Sequence, residues 1–192
     1  FYTYVLGDMK LMSGVSIIGL IASLVGIVMG PYLANRFGKK KVYLTAVIIS
    51  TALNLLRLLD VTSMILIYIS ALIGGVAGGW MVPVSTSIQA DNTTYVQYKT
   101  GKRAEAAIAS LTSFVSKVAQ GLGGAIPGYE IAAYGFVTGA SVQPESINTG
   151  IILCAEFLPL IFGILGSLIF GTQYTLDQKA VIEMDAKINR NN

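Results

Sequence analysis

Of 192 residues, 54% are hydrophobic and only 12% charged, with a formal net charge of +3 and a mean hydropathy of +0.67. A soluble domain carries about 25% charged residues, so the deficit points to an integral membrane protein. The lack of His excludes triads with a histidine base and histidine-ligated metals, the single Cys, Cys154, excludes an internal disulfide or a cysteine-cluster metal site, and basic residues confined to short loops are no nucleic-acid footprint.

The opening Phe1-Tyr2-Thr3-Tyr4 reads as an aromatic belt at a membrane surface. Residues 1–10 are expected to be the end of a preceding transmembrane helix and an outer loop. No basic n-region or cleavage site of a signal peptide is recognisable, so the chain reads as a piece of a longer protein. Five apolar runs follow, about Leu11–Ala34, Val42–Leu59, Met64–Ala90, Ala104–Tyr134 and Thr149–Thr172. They predict an all-α, polytopic transmembrane helix bundle over residues 11–176, with a tail at 177–192 and no strand. The fourth run is too long for a straight crossing of a ~30 Å hydrocarbon core, and Pro127 predicts a kink or break. Pro31, Pro83 and Pro159 fall in or near other spans and predict kinking. Gly26 and Gly30, Gly74 and Gly78, Gly75 and Gly79, and Gly124 and Gly128 form small-xxx-small pairs that allow close helix packing.

Basic residues set the orientation. Arg36, Lys39, Lys40 and Lys41 lie between the first two spans, Lys99, Lys102 and Arg103 between the third and fourth, and Lys179, Lys187 and Arg190 after the fifth. The loops at Asp60–Ser63 and Gly135–Asn148 carry no Lys or Arg. The positive-inside rule therefore predicts a multi-pass cell-membrane protein with a cytoplasmic C-terminus and an outer N-terminus, delivered there by an upstream helix. Arg57, at the end of the second span, is expected to snorkel to outer headgroups. Cys154 reads as a packing residue, and Glu130 as a solvated residue near the outer mouth.

Lys117 is the most informative residue. It lies about 18 Å along a helix axis beyond Glu105, close to mid-membrane depth. An ammonium there costs several kcal/mol unless paired or hydrated, and mid-depth is too far for snorkelling, so a polar cavity, an ion or a substrate is expected beside it. Ser113 and Gln120 share its helix face, and Thr112 and Ser116 are near it. Together they offer the short donors and acceptors a sugar requires; the alternative for the hydroxyls is helix–helix hydrogen bonding. Glu156, about 10 Å into the fifth span, either lines a cavity from the outer side or is protonated and packed.

Two loops carry a resemblance. Gly30-Pro-Tyr-Leu-Ala-Asn-Arg-Phe-Gly-Lys-Lys-Lys41 resembles the cytoplasmic signature loop of the major facilitator superfamily, with Asn35 where an acidic residue is common. Asp91-Asn-Thr-Thr-Tyr-Val-Gln-Tyr-Lys-Thr-Gly-Lys-Arg-Ala-Glu105, then Ser113-Phe-Val-Ser-Lys117 and Gly123-Gly-Ala-Ile-Pro-Gly128, resembles the glycoside-pentoside-hexuronide:cation symporter family, which includes the melibiose carrier. Tyr4-Val-Leu-Gly-Asp8 and Tyr174-x-Leu176 fit it too. Thr94 and Tyr98 depart from the family pattern, and Trp80 is displaced from the place of a sugar-proximal Trp, so that role is not transferred.

The resemblance implies part of the C-terminal half of a major facilitator fold, from the end of helix seven through helix twelve. It implies sugar symport with Na⁺, Li⁺ or H⁺ by alternating access, and no enzyme activity or other cofactor. Lys117, Thr112 and Ser113 would lie by the sugar on the resemblance, and Ser116 and Gln120 join them by their place on the helix. Asp91, Tyr95, Lys99, Lys102, Arg103, Glu105 and Arg36 would form a cytoplasmic gate. The coupling cation would be bound mainly by an N-terminal six-helix half that is absent here and is needed as a partner, besides sugar, cation and membrane lipid. The rival readings are a lipid or amphiphile carrier of the same superfamily, and a non-transporting membrane scaffold or inactive truncated product.

Overall fold

A computed structural model describes residues 1–138 and 143–190; positions 139–142 of the predicted outer loop and 191–192 of the predicted tail lie outside the described residues. The described chain is all-α: α1 (Lys10–Phe37), α2 (Lys39–Arg57), α3 (Met64–Thr100), α4 (Glu105–Ala133), α5 (Ser146–Ile152), α6 (Leu158–Gln173) and α7 (Gln178–Arg190). A π-helical turn, Leu153–Phe157, joins α5 to α6. Among the described residues α1, α3 and the composite Ser146–Gln173 helix are long and apolar enough to cross a membrane. The second and fourth predicted spans are helical as well but less apolar. Lys39, Lys40, Lys41 and Arg57 sit at the ends of α2, and Lys117 with several hydroxyls interrupts α4.

Three boundaries differ from the sequence expectation. The third span does not end at Ala90: α3 continues through the Asp91–Lys99 segment to Thr100, because no Gly or Pro intervenes before Gly101. Its 37 residues extend about 56 Å at 1.5 Å per residue, well beyond a ~30 Å core, so one end stands clear of the membrane. Of the kink or break expected at Pro127, the break does not occur: α4 runs through it as one helix, Glu105–Ala133. The fifth span is interrupted instead. Pro159 has no N–H for the carbonyl four residues earlier. Just ahead of it the ladder widens, and the Leu158 N–H donates to the Leu153 carbonyl, five residues back.

The bundle is organised around the α1–α3 contact. A Cβ placed on Gly26 would collide with the Val76 carbonyl, and one on Gly79 with the Ser23 carbonyl. Gly30 faces Trp80 and Pro83, and Gly75 faces Gly19 and Ala22. The two backbones therefore touch directly, which maximises dispersion where no hydrophobic effect drives association. The pair Gly124 and Gly128, by contrast, meets nothing within 4 Å. α2 packs against α3 and α6, and α7 contacts α3. One residue, Gly38 at φ +88°, turns α1 into α2, with its N–H donating to the Ala34 carbonyl at 2.9 Å; that backbone conformation strains any residue with a Cβ.

The basic loops gather at one end. There Ala34, Val42, Val84, Ile88 and Tyr174 form a buried cluster, with Phe170 stacked on Tyr174 at 4.9 Å between centroids. α4 stands apart: none of its residues is buried, and its main contacts are with α3 and α5. Many large apolar side chains, such as Val28, Leu59 and Ile65, are exposed, as a helix surface solvated by lipid requires.

Replacing Gly79 by Ala in the full-length protein should cost roughly 1–3 kcal/mol by overpacking. Gly166→Ala, whose new methyl meets nothing within 4 Å, should leave the thermal midpoint in detergent nearly unchanged. Equal midpoints for the two variants would refute the close-contact account.

Candidate functional site: an unpaired lysine and two ion pairs

Lys117 projects from the lone helix α4. It is exposed, and it makes no hydrogen bond or ion pair among the described residues. Ser113, Ser116 and Gln120 are likewise exposed and Thr112 half-buried. The spacing places Ser113, Lys117 and Gln120 on one helix face, and nothing in the described chain packs over it. The polar wall is therefore assembled by α4 alone, through helical periodicity.

The predicted gate residues do not form one cluster. Asp91 is buried at 6% exposure, and both its oxygens accept from Lys39 Nζ at 2.7 Å. The Tyr174 hydroxyl donates to Asp91 Oδ2 at 3.4 Å, so one carboxylate ties α2, α3 and the segment before α7. The rest are local and exposed. Arg103 pairs with Glu105, two residues away, at 2.9 Å. Lys99 lies over the Tyr95 ring at 5.9 Å and Arg36 over Phe37 at 5.3 Å. Lys102 forms no side-chain ion pair among the described residues. Lys39 and Tyr174 were missed as partners of Asp91 because 52 and 83 residues separate them from it, and no local pattern links them.

The opposite end holds a second pair with a buried carboxylate. Arg57 does not stand alone at the headgroups: its Nη2 lies 2.6 Å from Glu156 Oε1, and its guanidinium covers the Phe1 ring at 5.5 Å. Glu156 is completely enclosed. Within the described chain it is therefore an enclosed carboxylate held against Arg57. The approach is close but misaligned: neither carboxylate oxygen has a hydrogen bond, and Arg57 Nε is enclosed without an acceptor. The attraction between the two groups is Coulombic and does not need hydrogen-bond alignment. A cavity of about 190 Å³ adjoins Arg57, with Tyr2, Ser50, Asn54 and Ser70 on its walls. The π turn inserts one residue into the fifth helix, which re-phases Glu156 toward α2.

Two minor expectations are also corrected. Cys154 is more than a packing residue: its thiol donates to Glu130 Oε2 at 2.8 Å, joining the fifth helix to α4. Glu130 is consequently half-buried and engaged, not a free residue at a solvated helix end.

Residues 1–178 match the family model described as MFS/sugar transport protein. The chain is 30% identical to the glucuronide carrier protein homolog of Escherichia coli K12 over 95% of its own length and 41% of that protein. It is 31% identical to an uncharacterized symporter of Bacillus subtilis 168 (96% of this chain, 40% of that one), and 26% identical to the isoprimeverose transporter of Lactiplantibacillus pentosus (97% and 40%). The chain thus spans about two fifths of the length of these curated relatives.

A double-mutant cycle on Lys39→Gln and Asp91→Asn should show a coupling of about 0.5–3 kcal/mol in thermal unfolding; strict additivity would mean the contact contributes nothing. Glu156→Leu alone should destabilise by roughly 3–5 kcal/mol, because it strands the guanidinium, whereas Arg57→Leu with Glu156→Leu should recover most of that loss. A double variant as unstable as the sum of both singles would rule out charge pairing as the cause.

Proposed function

This chain belongs to the MFS/sugar transport family, and on that premise we propose that the intact polypeptide carries a sugar across the membrane, coupled to a cation, by alternating access. The observation that carries the reading is Lys117. A lone ammonium on an apolar helix, with hydroxyls and an amide along the same face and no counter-charge in the described chain, calls for a wet, polar surface beyond α4. A sugar pathway is such a surface. Its many hydroxyls accept from the ammonium and exchange hydrogen bonds with Thr112, Ser113, Ser116 and Gln120. The names of the glucuronide carrier homolog and the isoprimeverose transporter support the substrate class.

In this reading α4 supplies one wall of a midplane site, and the rest of a two-bundle carrier supplies the other wall and the cation ligands. The end that holds Lys39, Lys40, Lys41, Lys102, Arg103 and α7 faces the cytoplasm, by the positive-inside rule. At that end the exposed Arg103, Glu105, Lys99 and Tyr95 are free to exchange local contacts for contacts across the two halves, while the buried Asp91–Lys39 pair holds the end of α3.

Uptake of radiolabelled glycosides, pentosides and hexuronides into proteoliposomes, driven by a Na⁺ or proton gradient, tests this directly. Lys117→Ala in the full-length protein should abolish accumulation above equilibrium. Accumulation at the unmodified level would remove Lys117 from the site and sink the reading.

A further inference from the structure

At the lysine-rich end, α1, α2 and α3 enclose an apolar groove of about 390 Å³, unrelated to the α4 wall. Met29 and Leu33 of α1, Val42 and Thr45 of α2 and Trp80 of α3 line it, and Phe37 and Lys41 border it. The depth can be placed. Lys39 and Asp91 meet at the basic end, and Trp80 lies eleven residues before Asp91 on α3. That separation is about 16 Å along the axis, within the acyl-chain zone.

Lys41 borders the mouth of the groove and Lys40 lines the cleft beside it, and the chain leaves both uncompensated. Residues 31–59 contain no Asp or Glu. Asp91 neutralises Lys39, but Lys40 and Lys41 close no ion pair among the described residues. Asp177 lines the adjoining cleft with them and forms no ion pair either. Inside the groove, the Trp80 indole N–H is enclosed without an acceptor, so packing alone holds the ring.

We propose that this groove is a binding site for an anionic phospholipid. Its headgroup phosphate sits on Lys41 at the groove mouth and reaches Lys40 in the adjoining cleft, and one acyl chain fills the groove against Trp80. The charge order selects this occupant: cationic at the interface, apolar below, the inverse of a lipid with a phosphate above its chains. A docked apolar helix would leave both lysines unanswered. The inference depends on membrane insertion and not on what the protein transports.

Trp80 is the only Trp of this chain, and its contribution in the full-length protein is the fluorescence difference between the unmodified protein and Trp80→Phe. The purified full-length protein is reconstituted in phosphatidylcholine. Phosphatidylglycerol or phosphatidylcholine brominated at mid-chain is then titrated in. Brominated phosphatidylglycerol should quench the Trp80 signal at a mole fraction about fivefold lower or more, the factor expected from one lysine at an anionic headgroup. Lys40→Gln with Lys41→Gln should erase that preference, the double Arg variant should keep it, and Lys10→Gln at the other end should not alter it. Equal quenching by both lipids would reduce the groove to ordinary lipid contact. A preference that survives loss of both lysines, or no quenching by either lipid because protein covers the groove, would equally overturn the proposal.

Discussion

A charge carried into hydrocarbon must find an opposite charge, water or the membrane surface, and most of the polar design of this chain answers to that constraint. Glu156 is wholly enclosed and tolerated because Arg57 reaches it at 2.6 Å. Asp91 is buried and tolerated because Lys39 and Tyr174 close over it. Breaking such a pair strands a charge, which costs far more than the pair contributes relative to apolar replacements. The two pairs sit at opposite ends of the bundle, and both bind α2 to a neighbour. α2 is short and charged at its ends, so these ionic contacts compensate for apolar length it lacks.

Lys117 obeys the same constraint by a different route. α4 buries none of its residues, and its lysine has no counter-charge in the described chain. The contrast between α3, held backbone to backbone against α1, and α4, almost bare, divides the bundle into a scaffold and an open face. In the proposed carrier, the scaffold moves as a unit and the open face meets the substrate. The π turn before Pro159 contributes at the boundary between these parts, because it carries both Cys154 toward Glu130 on α4 and Glu156 toward Arg57 on α2.

The lysine-rich turn at Gly38 serves more than one purpose. Lys39 points inward to a carboxylate, whereas Lys41 stands at the mouth of an apolar groove and Lys40 in the cleft that adjoins it. One basic run thus splits between an internal tie and a surface that matches lipid. The topological role of such loops, set by their charge alone, is compatible with both.

The sequence by itself determined the helical class, the number and approximate place of the long helices, the clustering of basic loops at one end and the polar face of α4. These follow from local quantities, namely apolar run length, the helical repeat and loop charge, which need no knowledge of what packs where. It also showed the motifs that carry the family resemblance. Only the tertiary structure decided which glycine pairs are contacts: Gly26 and Gly79 meet backbone, whereas Gly124 and Gly128, with identical spacing, meet open space. Only it paired Arg57 with Glu156 and Lys39 with Asp91, and only it carried α3 to Thr100 and left α4 whole at Pro127. The reason is the same in each case. A partner many residues away is selected by how helices cross and in what phase, and helical periodicity says which residues share a face but not which other helix that face will meet.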